Sequence, residues 1–202
     1  FDTIYHEHLD YHALFPISRF LRKFGLNLFN FELTDAQGGS LRVYASKNPK
    51  SIKVQKIRNQ IMKEKNNYRL FNKITYNKFE KKILECKKKI RKIIRSFEDK
   101  KLNIAGYGAA AKTTTFLNYF ELSENKMIKI IYDDNILKQK LYLPGTTIKI
   151  LSPKNLDLKK LDILIIFAWN YSEIIVQKIK KKFSKRYRLK FLIPFPKPKL
   201  IK

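Results

Sequence analysis

The chain has 202 residues, enough for one ordinary domain or two small ones, and a formal net charge of +27 from 44 Lys and Arg against 17 Asp and Glu. One cysteine, Cys86, excludes an internal disulfide. No run is apolar enough to span a membrane and no signal peptide is visible, so we expect a cytoplasmic protein.

The positive charge is typical of proteins that bind nucleic acid or an anionic membrane. Here the lysines are scattered along the chain, and runs such as Lys87–Lys89 and Lys180–Lys182 fall on predicted helices with few aromatic residues nearby. We interpret them as a solvated surface and expect no specific nucleic-acid or membrane partner. A non-catalytic basic binding module remains the alternative.

The first zone, residues 1–47, is predicted to contain a helix and two strands. Apolar residues at a three-to-four spacing indicate a helix over Leu14–Phe24, which Gly25 ends in the C′ position. Alternating patterns predict strands at Leu26–Phe31 and Leu41–Ala45. A class I methyltransferase domain ends in this order of elements, with its last two strands antiparallel. The order at residues 1–47 is consistent with the C-terminal part of such a domain, but it is not unique to that fold.

The second zone, residues 48–100, is basic and compatible with helix throughout. Apolar residues recur there at steps of four and three, as on one face of a helix. They are Phe79, Ile83, Cys86, Ile90, Ile93 and Phe97. We predict a basic helical connector that packs this face on its own domain, with a partner helix or a membrane surface as alternatives.

The third zone, residues 101–202, alternates strands with helices. This alternation predicts parallel βαβ units and a small Rossmann-like domain, hence an α/β fold. We predict strands at Leu102–Ala105, Ile128–Tyr132, Thr147–Leu151, Ile163–Phe167 and Leu189–Ile193, and helices at Ala109–Phe120 and Tyr171–Phe183. The prolines Pro194, Pro196 and Pro198 are predicted to end regular structure.

A glycine-rich turn follows the first strand of this zone. Gly106, Gly108 and Ala111 have the G-x-G-x-x-A spacing that lets a backbone approach a phosphate at a helix N-terminus. An acid after the next strand, Asp133 or Asp134, stands where a ribose-binding carboxylate is expected, and Lys112 adds a positive charge. The pattern indicates a nucleotide site. A turn that binds nothing and a nicotinamide site are the alternatives.

A polar cluster near the start of the chain contains all three histidines. Tyr5, His6, Glu7, His8 and His12 lie within eight positions. Histidine beside a carboxylate is suited to acid–base chemistry near neutral pH. Metal binding through His8 and His12 at helical spacing, with Glu7 beside them, and a polar loop of buried, satisfied side chains are the alternatives.

Several blocks of the sequence resemble one family, the S-adenosylmethionine-dependent C-methyltransferases of nucleotide-linked deoxysugars. The resemblance spans nearly the whole chain in matching order. The blocks are residues 1–9 (FDTIYHEHL), 38–44 (GGSLRVY), 106–112 (GYGAAAK), 117–119 (LNY), 138–146 (KQKLYLPGT), 150–153 (ILSP) and 168–170 (AWN). Because the chain begins with Phe1, inside the first block, we expect it to be the C-terminal portion of a longer protein.

The resemblance implies a reaction and its residues. Family members methylate a carbon next to a keto group, and Tyr5, Glu7 and His8 match the family's functional residues. His8 is the expected base, Glu7 orients it or positions the sugar, and Tyr5 donates a hydrogen bond to the oxyanion or a sugar hydroxyl. His6 fills a variable position and is not expected to be essential.

The resemblance also implies the ligands. We expect Gly106, Gly108, Lys112, Asp133 and Asn170 to bind the substrate, a nucleotide-linked keto-deoxysugar. In the family, S-adenosylmethionine and zinc are held mostly by regions upstream of the part that this chain matches, so we expect no metal here and no methyl transfer by this chain alone.

Overall fold

The chain forms two compact units in a computed structural model, which describes residues 2–5, 7–124, 127–182 and 188–202. One unit, here called the hairpin unit, is Leu9–Lys81. The other, here called the sheet unit, joins Phe1–His8 to Lys82–Lys202. The residues nearest the start of the chain therefore pack with its C-terminal half.

The hairpin unit begins with helix α1, Leu14–Lys23. Gly25 has φ +70° and donates its N–H to the Arg22 carbonyl (3.1 Å), while the Leu26 N–H donates to the Leu21 carbonyl (3.0 Å). This is a Schellman ending, in which glycine takes the left-handed conformation without steric penalty. The predicted helix and its C′ glycine are confirmed.

Two antiparallel strands follow, β1 at Asn27–Thr34 and β2 at Ser40–Ser46. A 3₁₀ turn at Ala36–Gly38 joins them. Both run beyond the predicted strands, because pairing between them carries the ladder out to Thr34 and Ser40. Helix α2, Val54–Met62, comes next and continues into a π-helical turn at Lys63–Asn67.

A buried carboxylate in the π-helical turn caps α1. Glu64 is 3% exposed, and its two oxygens accept the backbone N–H groups of Leu14 (2.8 Å) and Phe15 (2.9 Å). These N–H groups belong to the first turn of α1, where they have no partner within the helix, and the positive end of the helix dipole favours an anion there. Glu64 thus replaces an ordinary N-cap from 50 residues away.

We expect Glu64→Gln to destabilise the hairpin unit by about 1–3 kcal/mol, the usual range for losing a hydrogen bond to a charged group. The amide keeps one acceptor oxygen but turns an NH₂ group toward the second N–H. Urea denaturation followed by circular dichroism measures the change, and Glu80→Gln, an exposed glutamate of the same unit, is the matched control. Equal stability of the two variants would contradict the capping role.

A 27-residue helix, α3, runs from Lys73 to Asp99. The face it buries carries Ile83, Cys86, Ile90, Ile94 and Phe97, whereas Phe79 is 46% exposed. The predicted apolar face therefore holds from Ile83 onward, with Ile94 in place of Ile93 as the buried residue. From Cys86 onward these side chains join the core of the sheet unit, so this part of the helix packs against the sheet.

The sheet unit contains six strands in the order β5-β4-β3-β6-β7-β8 among the described residues. All neighbours are parallel except β7 and β8, which are antiparallel. The strands are β3 (Ile104–Tyr107), β4 (Ile130–Tyr132), β5 (Lys149–Leu151), β6 (Ile163–Ile166), β7 (Lys190–Ile193) and β8 (Lys199–Ile201). The predicted α/β class with a mostly parallel sheet is confirmed. The prediction that the prolines end regular structure was wrong, because β8 follows them.

Helices cover both faces of this sheet. Alternate strand residues point to opposite sides: Ile163 and Ile165 pack with α3 and with α4 (Ala111–Tyr119), while Leu164 and Ile166 pack with α5 (Ser172–Lys182). The predicted end of this last helix, Phe183, lies outside the described residues. In the part of the chain that the structure covers, no helix is both long and apolar enough to cross a membrane.

Candidate functional site

The glycine-rich turn links the end of β3 to α4 at the edge where the parallel strands end. Gly108 has φ +96° and donates its N–H to the Tyr132 carbonyl at the end of β4 (2.7 Å). A Cβ on Gly106 would lie 2.7 Å from the Phe167 ring, and one on Gly108 would lie 2.7 Å from the Ala168 Cβ. Both glycines are required because the segment after β6 packs directly against the turn.

Asp133, the first residue after β4, closes this turn with its own side chain. One carboxylate oxygen accepts the Ala109 N–H (2.6 Å) and the other accepts the Asn135 N–H (2.8 Å). Lys138 Nζ donates to the Ala109 carbonyl (2.9 Å) from the same loop. The backbone N–H that a bound phosphate would use therefore already donates to a carboxylate of the chain.

The neighbouring Asp134 binds two side chains at this edge. The Tyr107 hydroxyl donates to one of its oxygens (2.7 Å), and Lys178 Nζ donates to the other (2.5 Å). Burial raises the pKa of Asp134, but the hydrogen bonds from Lys178 and Tyr107 outweigh it and hold that pKa below its usual range. Burial, followed by the bond to Asp134, raises the pKa of Tyr107. The cluster ties β3 and β4 to α5.

Lys112, in the first turn of α4, lies over the indole of Trp169. Its Nζ is 4.9 Å from the ring centroid and 4.0 Å from the carboxylate of Asp2. The Trp169 indole N–H donates to the same oxygen of Asp2 (3.2 Å). Burial lowers the pKa of Lys112, and the charge of Asp2 partly opposes that change. Asp2 thus joins the start of the chain to α4 and to the 3₁₀ turn that follows β6.

The histidine-bearing segment continues from Asp2. The Thr115 hydroxyl donates to the Ile4 carbonyl (3.3 Å), and His8 Nδ1 lies 2.9 Å from the Thr3 carbonyl. A carbonyl oxygen only accepts, so Nδ1 carries the hydrogen and Nε2 is the basic nitrogen of the neutral ring. The Tyr5 ring lies 4.2 Å from the His8 ring, centroid to centroid. The segment thus fixes which ring nitrogen of His8 faces the backbone.

The residues predicted for the site all lie in the sheet unit. Tyr5 and His8 are in contact, and Asp133 contacts the turn of Gly106 and Gly108. Lys112 meets the histidine-bearing segment through Asp2, while Glu7 and Asn170 are exposed. His6 lies outside the described residues.

The alternative of a metal site depended on helical spacing between His8 and His12. Residues 8–13 are not helical, since α1 begins only at Leu14, so that spacing is absent. His12 is an exposed residue of the hairpin unit, whereas His8 belongs to the sheet unit. Within the described ranges, no group of three or more His, Cys, Asp or Glu side chains is arranged to hold a metal ion.

Comparison with known proteins identifies the family. A sequence profile described as "C-methyltransferase C-terminal domain" matches residues 35–196, most of the chain. The chain belongs to this family. The match takes in β2, all of the helices after it and the glycine-rich turn.

One curated relative of this chain is the C-methyltransferase NovU of Streptomyces niveus. The two are 29% identical over 201 residues, an alignment that covers 100% of this chain and 47% of NovU. The chain thus spans about half the length of its relative. The alignment includes the segment with Tyr5, Glu7 and His8, which precedes the region matched by the family profile.

Sequence reasoning assigned no role to five residues that hold the histidine-bearing segment. Trp169 and Thr115 hold Asp2 and Ile4, and the Thr3 carbonyl contacts His8 Nδ1. The only signal was the presence of Asp2, Thr3 and Trp169 in two blocks shared with the family, because nothing local indicates contacts across 167 residues.

Proposed function

We propose that the chain is the C-terminal portion of an S-adenosylmethionine-dependent enzyme that methylates a carbon next to a keto group of a nucleotide-linked deoxysugar. Family membership and the similarity to NovU support carbon methylation. The observation that carries the proposal is the packing of the Asp2–His8 segment on α4 and Trp169, in the same unit as the glycine-rich turn. This packing joins the candidate base to the candidate substrate residues.

The chemistry begins with removal of a proton from the carbon beside the carbonyl. His8 Nε2 accepts this proton, because the Thr3 carbonyl holds the hydrogen of the neutral ring on Nδ1. Tyr5, whose ring lies against His8, supplies a hydroxyl to the developing enolate oxygen. Glu7, the exposed residue before the histidine, positions the sugar.

The glycine-rich turn has a supporting role in this proposal. Asp133 uses both carboxylate oxygens on backbone N–H groups, so the turn does not fit the phosphates or ribose of a dinucleotide, nor the ribose of S-adenosylmethionine. We place the site of the methyl donor outside this turn. Lys112 and Asn170 contact the nucleotide-linked substrate, while Gly106, Gly108 and Asp133 shape the backbone beside it.

The proposed domain arrangement follows from the same family. In this arrangement residues 1–47 complete a class I methyltransferase domain, residues 48–100 connect it, and residues 101–202 form a Rossmann-like domain. The compact units divide the chain differently, since the sheet unit also takes in Phe1–His8 and α3 from Lys82 onward. The mostly parallel sheet with helices on both faces supports the last assignment. The hairpin of β1 and β2 supports the first, since two strands alone form a marginally stable sheet.

The test is methyl transfer by the complete polypeptide that contains this chain. Methyl-labelled S-adenosylmethionine is incubated with a panel of nucleoside diphosphate keto-deoxysugars, and nuclear magnetic resonance locates the label. The proposal expects the label on a ring carbon next to the keto group. Transfer to an oxygen or a nitrogen, or no transfer to any sugar together with tight binding of a nicotinamide cofactor, would overturn it.

A further inference from the structure

We infer that Asp2 is a positioning residue that holds the proposed base His8 by fastening its segment to Trp169 and Lys112. The inference rests on the proposed function, in which His8 removes the proton. Asp2 is distant from both partners in sequence, yet its side chain is only 19% exposed. The Asp2 carboxylate connects the beginning of the chain to Trp169, which lies just after β6.

The contacts of three successive residues show how the fastening acts. Asp2 is held by the Trp169 N–H (3.2 Å), and the Ile4 carbonyl accepts the Thr115 hydroxyl (3.3 Å). Thr3 lies between them, and its carbonyl accepts the His8 ring hydrogen (2.9 Å). Because both neighbours of Thr3 are anchored to the sheet unit, the direction of its carbonyl is fixed. That direction sets the tautomer and the orientation of His8.

Charge explains why an acid suits this position. The Lys112 side chain is 15% exposed, and burial disfavours its charged form. The negative charge of Asp2, 4.0 Å away, and the face of Trp169 offset that penalty. Asp2→Asn keeps an acceptor for the Trp169 N–H but removes the charge, whereas Asp2→Ala removes both. The two variants therefore separate the hydrogen bond from the charge.

The first experiment reads His8 directly in the chain of 202 residues. Long-range ¹H–¹⁵N nuclear magnetic resonance distinguishes the two ring tautomers, and the chain has only three histidines to assign. The parent should show the Nδ1–H form of His8. Asp2→Ala should convert it to a mixture, and Asp10→Ala, at an exposed aspartate of the hairpin unit, should not. An unchanged His8 tautomer in Asp2→Ala overturns the inference, whatever the turnover of the complete polypeptide.

The second experiment measures turnover in the complete polypeptide. Misplacement of a catalytic group by about 1 Å lowers rate by about a hundredfold, so Asp2→Ala should lower kcat by about that factor and leave KM within a few-fold. The kcat of Asp2→Asn should lie between those of the parent and of Asp2→Ala, and the kcat of Asp10→Ala should equal that of the parent. Trp169→Phe removes the N–H but keeps a ring against Phe116 and Phe195, so it should reproduce Asp2→Ala without adding to it in the double variant.

Together the two experiments distinguish failure of this inference from failure of the proposed function. A changed tautomer with unchanged kcat shows that Asp2 orders the segment without positioning the base, and it overturns the inference while the proposed function stands. Additive losses in the double variant also overturn it, because Asp2 and Trp169 would then act independently. A parent enzyme that neither exchanges nor methylates any keto sugar overturns the proposed function and the catalytic part of the inference together.

Discussion

Replacing His8 with alanine is expected to slow proton exchange at the carbon next to the keto group by about a hundred- to ten-thousand-fold, the usual contribution of a general base. The expectation rests on the proposed role of His8 and on its contact with the Thr3 carbonyl, which places the ring hydrogen on Nδ1 and makes Nε2 the basic nitrogen of the neutral ring. The loss should appear in turnover, while binding of the nucleotide sugar should change little because Lys112 and Asn170 are untouched.

Deuterium wash-in from heavy water is the measurement, because proton removal requires the base but no methyl donor. It is performed on the complete polypeptide with its keto sugar, and sugar binding is followed by calorimetry. His12→Ala is the matched control, since His12 is an exposed histidine of the hairpin unit. Exchange at the parent rate in the His8 variant would assign the base to another residue and leave His8 a structural role.

The strands of the sheet unit were predictable in kind and order, but their ends were set by partners. The alternation of apolar strands and helices placed β3 close to its true position, with its end assigned at Ala105. In the structure β3 continues through Gly106 and Tyr107, which pair with Ile165 and Ile166 of β6. In a local sequence pattern, a glycine after an apolar run predicts the end of the strand. Here it is the residue that allows Phe167 to pack closely.

Strand β8 shows a second limit of local patterns. Proline lacks the N–H that a sheet ladder needs, so a run of three prolines at alternate positions reads as the end of regular structure. The antiparallel pairing begins immediately after the last of them, with Ile193 opposite Lys199 and Phe191 opposite Ile201. Because β8 is an edge strand, only one side of it needs a partner, and the preceding prolines are tolerated.

The candidate site was predictable where its residues are neighbours in sequence. Tyr5 and His8 do meet, and the glycine-rich turn does open a helix. The long-range contacts were not predictable, since Trp169 lies 167 residues from Asp2. The local pattern around Asp133 predicts that its carboxylate binds a ligand, whereas in the structure it accepts the backbone Ala109 N–H of the glycine-rich turn. Glu64 is similar, because a cap 50 residues from its helix leaves no local signal.

The packing around the turn also connects fold to site. Ala168 touches the position where Gly108 lacks a side chain, and Trp169, the next residue, holds Asp2. Any displacement of this segment therefore reaches the histidine-bearing residues through one covalent neighbour and one hydrogen bond. In the proposed function the turn acts on the chemistry by this route, while its Ala109 N–H donates to Asp133.

Gly108→Ala is accordingly expected to destabilise the sheet unit by about 2–5 kcal/mol. Two effects add: an L-residue in the left-handed region costs about 1–2 kcal/mol, and overpacking a filled interior costs about 1–3 kcal/mol. At Gly108 the φ angle is +96°, and the new Cβ would lie 2.9 Å from the backbone nitrogen of Ala168, which cannot rotate away as a side-chain end can.

Gly145→Ala separates the two effects. Gly145 also has a positive φ, +69°, but a Cβ there has no atom within 4 Å, so this variant should lose only the conformational part, about 1–2 kcal/mol. Urea denaturation at an unchanged m-value measures both variants. Fluorescence of Trp169, the one tryptophan of the sequence, should shift in Gly108→Ala and not in Gly145→Ala, because only the first displaces Ala168. If the two variants lose equal stability with equal emission, the segment after β6 is free to move away from the turn, and close packing is not what requires a glycine at position 108.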